Sequence, residues 1–307
     1  MRNIILLAPT GQVGFEVARA VAPLGRLHTL SRNEVDFADT QAVVAKVSKR
    51  QPDIIINAAA WTAVDKAQTE PAAAALMNAT LPAALATVAQ QHDAWLVHYS
   101  SDYVYPGTGD APWQETDSTG PLSVYGETKL AGDAAIMQHC ARHLIFRTSW
   151  VYAARGNNFM RTMLKLAQSR EALSVVADQV GAPTPARLIA QVTALALQQL
   201  LLTPADQAAA YAGVYHLAPQ GYCSWYDFAA EIFSLARVQG MALALKPGQF
   251  KAITSAEYPT AAQRPLNSRL NVAKLEHTFK LQLPSWQQQL ALTFAELIAD
   301  NSDGILR

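Results

Sequence analysis

The chain has 307 residues, enough for one large domain or two smaller ones with a substantial hydrophobic core. Half of the residues are hydrophobic and 16% are charged, a composition typical of globular proteins. Lys plus Arg number 24, as do Asp plus Glu, and no basic run stands out. The charge pattern therefore gives no support to nucleic-acid binding, and we expect no nucleic-acid partner.

The cysteines and the apolar segments indicate the cellular compartment of the protein. Cys140 and Cys223 stand alone, without metal-ligand spacing, so we expect buried thiols in a reducing compartment and no metal site formed by cysteine. The apolar run over residues 4–8 is too short for a signal-peptide core. Glutamines interrupt the apolar helix predicted over 188–202. We therefore expect a cytoplasmic protein with no membrane partner.

The N-terminal segment has the pattern of a dinucleotide-binding turn. Residues 3–8 predict a buried strand, residues 9–14 read PTGQVG, and a helical pattern runs from 15 to 21. Glycines allow the backbone to approach a pyrophosphate, and the helix start offers free N–H groups. Ala8 stands where the first glycine is expected. A tight turn without a ligand remains the alternative.

The end of the second predicted strand, residues 26–30, bears on the choice between NADPH and NADH. An acidic residue near this point commonly binds the ribose 2′-hydroxyl of NAD, but the sequence has Ser31 and Arg32. This pair suits a 2′-phosphate, so the sequence favours NADPH, with NADH as the other candidate. An exposed arginine at a strand end is the structural alternative.

The next elements predict a doubly wound parallel sheet. Residues 53–57 read as a third strand, residues 71–91 as a long helix, and WLVHYS, just before Ser101, as a further strand. Ligands on such sheets bind beyond the carboxyl ends of the strands. The candidate site residues found so far all lie at such ends.

Three residues carry the chemistry that the sequence predicts. Tyr125 and Lys129 are four residues apart on a predicted helix that opens near Val124, so they share one face. An ammonium near a phenol lowers the phenol pKa and lets the tyrosine exchange a proton with a substrate oxygen. Ser101 supplies a hydroxyl for the same oxygen. The pattern predicts a carbonyl-reducing site; an ordinary surface pair is the structural alternative.

The second half is predicted to form a smaller lobe interwoven with the first. Its expected elements are strands over 143–147, 174–176 and 213–218 and helices over 157–170, 186–202, 224–237 and 284–299. We assign residues 1–155 mainly to a nucleotide-binding domain and residues 156–307 mainly to a substrate-binding lobe.

A set of motifs in order along the chain resembles one family. They are TGQVG, INAAAWTAVDKA, HYSSDYVYPG, VYGETKLAG, FRTSWVYA, GNNF, DQVGAPT and RPLNSRL. The chain resembles the extended short-chain dehydrogenase/reductases, and within them a group that reduces a dTDP-linked keto sugar. The resemblance implies a Rossmann-like α/β fold and NADPH-dependent reduction of the 4-keto group of dTDP-4-dehydro-6-deoxy-L-mannose. The product would be a precursor of surface polysaccharide.

The resemblance also implies residue roles. Tyr125 would donate the proton, Lys129 would bind the nicotinamide ribose and lower the Tyr125 pKa, and Ser101 would polarise the carbonyl. The implied cofactor contacts are Gly11, Gln12 and Val13 at the pyrophosphate, Asp36 and Phe37 near the adenine, and Ala60, Trp61, Thr62 and Tyr99 at the nicotinamide half. The implied substrate contacts are Asp102 and Trp150 at the sugar and Arg264 and Arg269 at the diphosphate.

Several of these residues also have plain structural interpretations. Asp102 could cap the following loop, Trp150 could be packing, and the two arginines could be surface charges. His98 is predicted to be a packed core histidine. Trp225 and Tyr226 are predicted to pack at a helix start.

The family resemblance leaves the metal and the assembly open. Relatives include magnesium-assisted dimers that use acidic residues, for which Glu16 and Glu296 are counterparts here. The third position is Arg187, whose cation argues against a metal bridge. Arg187 could pair with a carboxylate instead. A homodimer and a monomer are both compatible with the sequence, and a role for magnesium is uncertain.

Two other functions share the fold. A nucleotide-sugar epimerase or dehydratase would retain NAD tightly, and a regulatory subunit would keep the fold without catalysis. Ser101, Tyr125 and Lys129 are all intact, which argues against the regulatory subunit.

Overall fold

A parallel six-stranded sheet forms the centre of the protein, as the computed structural model shows for residues 1–302. Its strands are β1 (Asn3–Leu7), β2 (Arg26–Leu30), β3 (Ile54–Asn57), β4 (Trp95–Ser101), β5 (His143–Thr148) and β6 (Gly213–His216). The spatial order is β6-β5-β4-β3-β1-β2, with every neighbouring pair parallel. The predicted doubly wound α/β fold is confirmed, and all six strands fall where the sequence placed them.

Helices cover both faces of the sheet. On β1, Ile4 and Leu6 pack with Val17 and Ile189 of the helices Gln12–Val21 and Ala186–Leu202. Ile5 and Leu7 face the other way, onto a layer formed by the helices Thr40–Ser48, Leu81–Gln91 and Val124–His139. Strands that are buried on both faces have continuous apolar sequences, which is why the short runs could be recognised. Each fully buried Ile or Leu side chain contributes about 1.5–3 kcal/mol.

The predicted helix over residues 71–91 is continuous but not uniform. It consists of Pro71–Ala75, a π-helical turn Leu76–Thr80 and Leu81–Gln91. It is long and apolar enough to cross a membrane by length and composition, and half of its most apolar window is buried inside the protein. A core helix meets the same criteria, so this helix alone does not indicate a membrane protein.

A second hydrophobic core lies in the other half of the chain. The helices Phe159–Ser169, Trp225–Val238 and Trp286–Ser302 surround it, beside the parallel strand pair Leu173–Val176 and Phe250–Ile253. The chain returns to the first half twice, because Ala186–Leu202 covers the large sheet and β6 joins its edge. Residues 303–307, which the predicted substrate lobe includes, lie outside the described residues.

Short elements complete the fold. The short strands are Val151–Tyr152, Val180–Gly181, Thr184–Pro185, Cys223–Ser224 and Asn267–Ser268. The short helices are Ala22–Leu24, Val64–Thr69, Asp102–Val104, Ala205–Ala208, Ala209–Tyr211, Ser255–Glu257 and Ala273–Phe279. The sequence analysis did not predict these, nor the strand Phe250–Ile253, because segments this short show no clear periodicity.

Candidate active site

A cavity of about 600 Å³ opens at the carboxyl ends of the central strands. This is where ligands bind in doubly wound sheets. The predicted residues that line it are Gly11, Gln12, Val13, Arg32, Ala60, Thr62, Tyr99, Ser101, Asp102, Tyr125, Lys129 and Trp150. The structure therefore brings residues predicted to contact the cofactor and residues predicted to contact the substrate into one cavity.

The turn after β1 presents an uncapped helix start to the cavity. Gly11 is the N-cap of the helix Gln12–Val21, and no side chain caps it. A Cβ atom on Gly14 would collide with the Ala8 carbonyl oxygen, so this glycine permits a close approach of turn and helix. Free N–H groups at a helix start bind anions. The turn thus fits a pyrophosphate.

Ala8 has a strained backbone at the position where a glycine was expected. Its φ angle is 57°, in the left-handed region, and its N–H donates to the Leu30 carbonyl at 3.0 Å. This conformation costs a non-glycine residue roughly 1–2 kcal/mol. The methyl group fits, and the neighbouring strand holds the backbone in place.

The end of β2 carries both a free cation and an acidic side chain. Arg32 lines the cavity and has no hydrogen bond or ion pair with the other residues between 1 and 302. The backbone N–H and hydroxyl of Ser31 both donate to the Glu34 carboxylate, at 2.8 and 2.9 Å, which lowers the pKa of Glu34. From the sequence, no acidic residue was expected at this strand end. Glu34 lies three residues beyond Ser31, and its carboxylate reaches back to it.

The helix Val124–His139 places Tyr125 beside the end of β4. A Cβ atom on Gly126 would collide with the Tyr103 carbonyl oxygen, so this glycine lets the helix approach closely. The Tyr103 ring meets the Tyr125 ring edge-on, with centroids 5.3 Å apart. Burial raises the pKa of Tyr125, and a hydrogen bond with Ser101 opposes the rise. The phenol is therefore protonated at neutral pH, the form that a proton donor requires.

Lys129 is buried, with 1% of its surface exposed. Its Nζ donates to the Tyr99 carbonyl at 2.6 Å and lies 3.3 Å from His98 Nε2. Burial lowers the pKa of Lys129 to about 8, while Asp133 raises it. The sequence analysis expected Lys129 to lower the Tyr125 pKa, but here burial dominates that pKa and Nζ is directed to β4 instead.

Asp102 is a buried carboxyl group on the cavity wall. It is 2% exposed and accepts a hydrogen bond from Ser101 Oγ at 3.0 Å. Burial raises its pKa to about 6, and hydrogen bonds to serine hydroxyls only partly offset the rise. Asp102 is also the first residue of the short helix Asp102–Val104. It therefore lies at the start of the following segment, as the structural interpretation expected, and on the cavity wall, as the functional interpretation expected.

Trp150 stacks on Trp225, with ring centroids 3.6 Å apart and planes 12° apart, and both line the cavity. The backbone of Trp150 is left-handed, with φ at 49°. Trp225 Nε1 donates to Gln179 Oε1 at 3.2 Å. A Cβ atom on Gly181 would lie 3.0 Å from the Trp150 ring, so the DQVGAPT motif supports this pair. The sequence analysis assigned Trp225 to packing and missed its place in the site.

Six predicted residues do not line the cavity, and each has another contact. Ser31 binds Glu34, Asp36 accepts from the Ala38 N–H, and Phe37 is buried in the core. The Trp61 ring N–H donates to the Ala63 carbonyl. Arg264 pairs with Asp65 at 2.7 Å and donates to the Tyr103 hydroxyl at 3.3 Å, and Arg269 donates to Asn267 at 2.9 Å.

Arg187 forms a separate cluster with the two candidate metal-binding carboxylates. Its guanidinium lies 3.3 Å from Glu16 and 2.6 Å from Glu296, which joins three helices. The pairing considered for Arg187 from the sequence is confirmed. Among residues 1–302, no group of three or more His, Cys, Asp or Glu side chains is arranged to hold a metal ion.

The fold and the cavity together define a class. A Rossmann-like sheet, a glycine turn at a helix start and a Ser-Tyr-Lys set at the strand ends are the features of a short-chain dehydrogenase/reductase. The chain belongs to the family described as RmlD substrate binding domain, which matches residues 1–299.

Named relatives support this assignment. A dTDP-4-dehydrorhamnose reductase from Shigella flexneri is 52% identical over 289 residues, 93% of this chain and 94% of the relative. A solved dTDP-4-dehydrorhamnose reductase from Clostridium acetobutylicum has a TM-score of 0.86 at 33% identity, covering 96% of this chain and 99% of that one. Another, from Bacillus anthracis in complex with NADP, has a TM-score of 0.85 at 32% identity, covering 96% and 100%.

Proposed function

We propose that the protein reduces the 4-keto group of dTDP-4-dehydro-6-deoxy-L-mannose (dTDP-4-dehydrorhamnose) to give dTDP-L-rhamnose, a precursor of surface polysaccharide. The observation that carries this proposal is the convergence of Ser101, Tyr125 and Lys129 on one cavity, next to an uncapped helix start. Identity of 52% to a named reductase over nearly the whole chain supports the choice of substrate.

The cofactor that we propose is NADPH, with NADH as the weaker alternative. The turn at Gly11 would hold the pyrophosphate, and the unpaired Arg32 would bind the 2′-phosphate. Glu34 opposes a phosphate here, because two hydrogen bonds from Ser31 keep its carboxylate ionised, so Arg32 is the group that favours NADPH. The bound nicotinamide supplies the hydride.

The protein side chains handle the proton and the substrate oxygen. Tyr125, protonated because of its burial, gives its proton to the sugar oxygen as charge develops there. Ser101 donates to the same oxygen and stabilises the alkoxide. Lys129, buried beside Tyr99 at the same cavity, would hold the nicotinamide ribose.

The substrate side that we propose combines residues from both halves of the chain. The Trp150–Trp225 pair offers an apolar wall for the sugar or the base. Arg264, beside Tyr103, and Arg269 are assigned to the diphosphate. We keep as a proposal the division in which residues 1–155 mainly bind the cofactor and residues 156–307 mainly bind the substrate, with Trp150 as a substrate contact contributed by the first part.

Assembly and location are part of the same proposal. Arg187 places a fixed positive charge between Glu16 and Glu296, so we infer that this cluster needs no magnesium. Activity should therefore survive EDTA, and a tenfold loss that magnesium restores would contradict this inference. A homodimer through this face would then require contacts other than a metal bridge. We expect the enzyme to act in the cytoplasm.

The decisive experiment follows the absorbance of NADPH after addition of freshly prepared dTDP-4-dehydrorhamnose. We expect oxidation by the wild type, and a loss of at least a thousandfold in Tyr125→Phe with cofactor binding retained. Substantial turnover by Tyr125→Phe would remove the tyrosine from its role. Tight copurified NAD without net oxidation would favour an epimerase or dehydratase, and sugar binding without turnover would favour a regulatory subunit.

A further inference from the structure

His98 lies next to Lys129 but has no assigned role in the reaction. It is 1% exposed, on β4, directly opposite Asn57 of β3 in the sheet register. Its Nδ1 lies 3.2 Å from Asn57 Nδ2, and its Nε2 lies 3.3 Å from Lys129 Nζ. The imidazole therefore connects an amide on one side with the lysine amine on the other. Both nitrogens are satisfied, as expected for a buried imidazole, and one of the partners is the lysine assigned to the site.

The orientation of the Asn57 amide is fixed by the backbone. Asn57 Oδ1 accepts a hydrogen bond from the Ala59 N–H at 3.1 Å. That donor requires an oxygen, so the NH₂ group of the amide faces His98. His98 Nδ1 must then be the acceptor of this contact. A neutral imidazole that accepts at Nδ1 carries its hydrogen on Nε2.

This tautomer determines what Lys129 meets. The Nε2–H group of His98 faces Nζ, and a hydrogen bond forms between them only when Nζ has a free lone pair. An ammonium at Nζ would place two donors face to face. Burial lowers the pKa of His98 well below its usual range, so the ring stays neutral whether or not Lys129 carries a charge.

We propose that His98 is a positioning residue for Lys129: held by Asn57 with its hydrogen on Nε2, it presents a donor to Nζ and so favours the uncharged amine over the ammonium. Protonation of Lys129 is then opposed, because a hydrogen bond from the ammonium to His98 would require the ring hydrogen to move to Nδ1 and the Asn57 amide to give up its bond from the Ala59 N–H. This inference rests on the proposed reductase function for its meaning. A lysine whose charged and uncharged forms are close in free energy can both release and accept a proton. Lys129 needs this property if it passes a proton to Tyr125 after each reaction.

The other charges around Lys129 also affect the equilibrium between its ammonium and its uncharged amine. The titratable and charged groups near Lys129 are Asp133 on its own helix, His98 on β4, and Arg147, on β5, which pairs with Asp133 at 3.0 Å. Tyr125 lines the same cavity. Asp133 favours the ammonium, but Arg147 compensates much of its charge. The Tyr99 carbonyl accepts from Nζ in either state. His98 is thus the neighbour whose hydrogen can move to favour one state or the other.

The first test reads the tautomer directly. Nitrogen-15 NMR of the wild-type protein, with the His98 signals assigned by their absence in His98→Gln, distinguishes a hydrogen on Nε2 from one on Nδ1. We expect the Nε2–H form at neutral pH without any substrate. An Nδ1–H form or an imidazolium would overturn the proposal. Because this measurement needs no turnover, it stands even if the proposed reaction is wrong.

The second test uses the pH profile. Asn57→Asp keeps an acceptor for Ala59 and offers an acceptor to His98 Nδ1, so the ring hydrogen should move to Nδ1 and Nε2 should accept from Lys129. We expect the alkaline limb of kcat/KM to move up by about one pH unit. Thr193→Val removes the buried hydroxyl bonded to Tyr99 at 2.9 Å and should leave the limb in place.

A double variant separates the tautomer from the added charge. In Asn57→Asp/His98→Gln the carboxyl group is present but the imidazole is absent. If the proposal holds, the shift caused by Asn57→Asp should be largely lost against the single His98→Gln variant. An equal shift in both backgrounds would assign it to the carboxylate charge and overturn the role of His98. If Asn57→Asp does not fold, the tautomer measurement on the wild type decides.

Discussion

The two sides of the cavity are built in different ways. The side that we propose for the cofactor uses backbone: a helix start after Gly11 without a side-chain cap among the described residues, and a close approach at Gly14, within one short stretch of sequence. The side that we propose for the substrate uses side chains from distant positions, above all Trp150 and Trp225. The cofactor side therefore depends on local conformation, whereas the substrate side depends on how the second half of the chain folds onto the first.

This difference predicts which substitutions affect cofactor binding and which affect substrate binding. A change on the substrate side should weaken the sugar complex and leave cofactor binding intact, because Trp150 and Trp225 stack on each other and the proposed pyrophosphate turn lies at Gly11. A change on the cofactor side should do the reverse. The predictions below test that separation.

Among the changes that test this separation, the largest effect is expected from Trp225→Ala. The substitution removes the ring that stacks on Trp150 at 3.6 Å and opens a gap in the cavity wall. Loss of an aromatic anchor from a binding site costs roughly 2–4 kcal/mol, so kcat/KM for the nucleotide sugar should fall about 100-fold. Trp225→Phe, which retains a stacking ring, is the matched control and should recover most of the activity. A change in NADPH affinity as large as that in kcat/KM would contradict the separation.

Trp225 also shows where sequence reasoning reaches its limit. The strands, the Gly11 turn and the Tyr125–Lys129 spacing could be predicted because each signal lies within one element or one turn. Trp225 opens a helix far along the chain, and its sequence neighbours predict only packing and capping. Its place beside Trp150 depends on Gly181 and Gln179, which come from a third segment. His98 was similarly assigned to the core because its contact with Lys129 exists only across two elements.

Asp102→Asn should stabilise the protein while harming the reaction. Burial raises the Asp102 pKa from 3.8 to about 6, so the folded protein binds this proton more tightly than the unfolded chain does. The stability it contributes is therefore present below about pH 4 and is lost as the pH rises through about 6. At pH 8 the neutral amide should raise the free energy of unfolding by about 2 kcal/mol, after allowance for the weakened bond from Ser101.

The comparison that checks Asp102→Asn is urea unfolding at two pH values. The stability gained over the wild type should be clear at pH 8 and nearly absent at pH 4, where both side chains are uncharged. A gain independent of pH, or a loss at pH 8, would show that the ionised carboxylate is well solvated or paired in the native state.

Arg32→Ala should change the choice of cofactor rather than the rate with the sugar. An unpaired guanidinium that binds a phosphate contributes about 1.4 kcal/mol, so kcat/KM for NADPH should fall about tenfold. The value for NADH should stay within about twofold, since NADH lacks the 2′-phosphate. Arg26→Ala, at the exposed start of β2, is the control cation. Equal losses with both cofactors would assign Arg32 to general structure.

The smallest effect is expected from Ala8→Gly, and it tests the idea that local backbone governs the cofactor side. Glycine removes the strain of a left-handed alanine but gains conformational freedom in the unfolded chain, so the net stabilisation should be about 0.5 kcal/mol. Thermal unfolding should rise by about 1–2 °C. The affinity for NADPH, measured by titration, should stay the same or improve up to about twofold.

Gly14→Ala is the opposite case, because its Cβ atom would collide with the Ala8 carbonyl oxygen. It should lose both stability and cofactor affinity, and if it were tolerated as well as Ala8→Gly, the close approach of turn and helix would not be what shapes this side of the cavity.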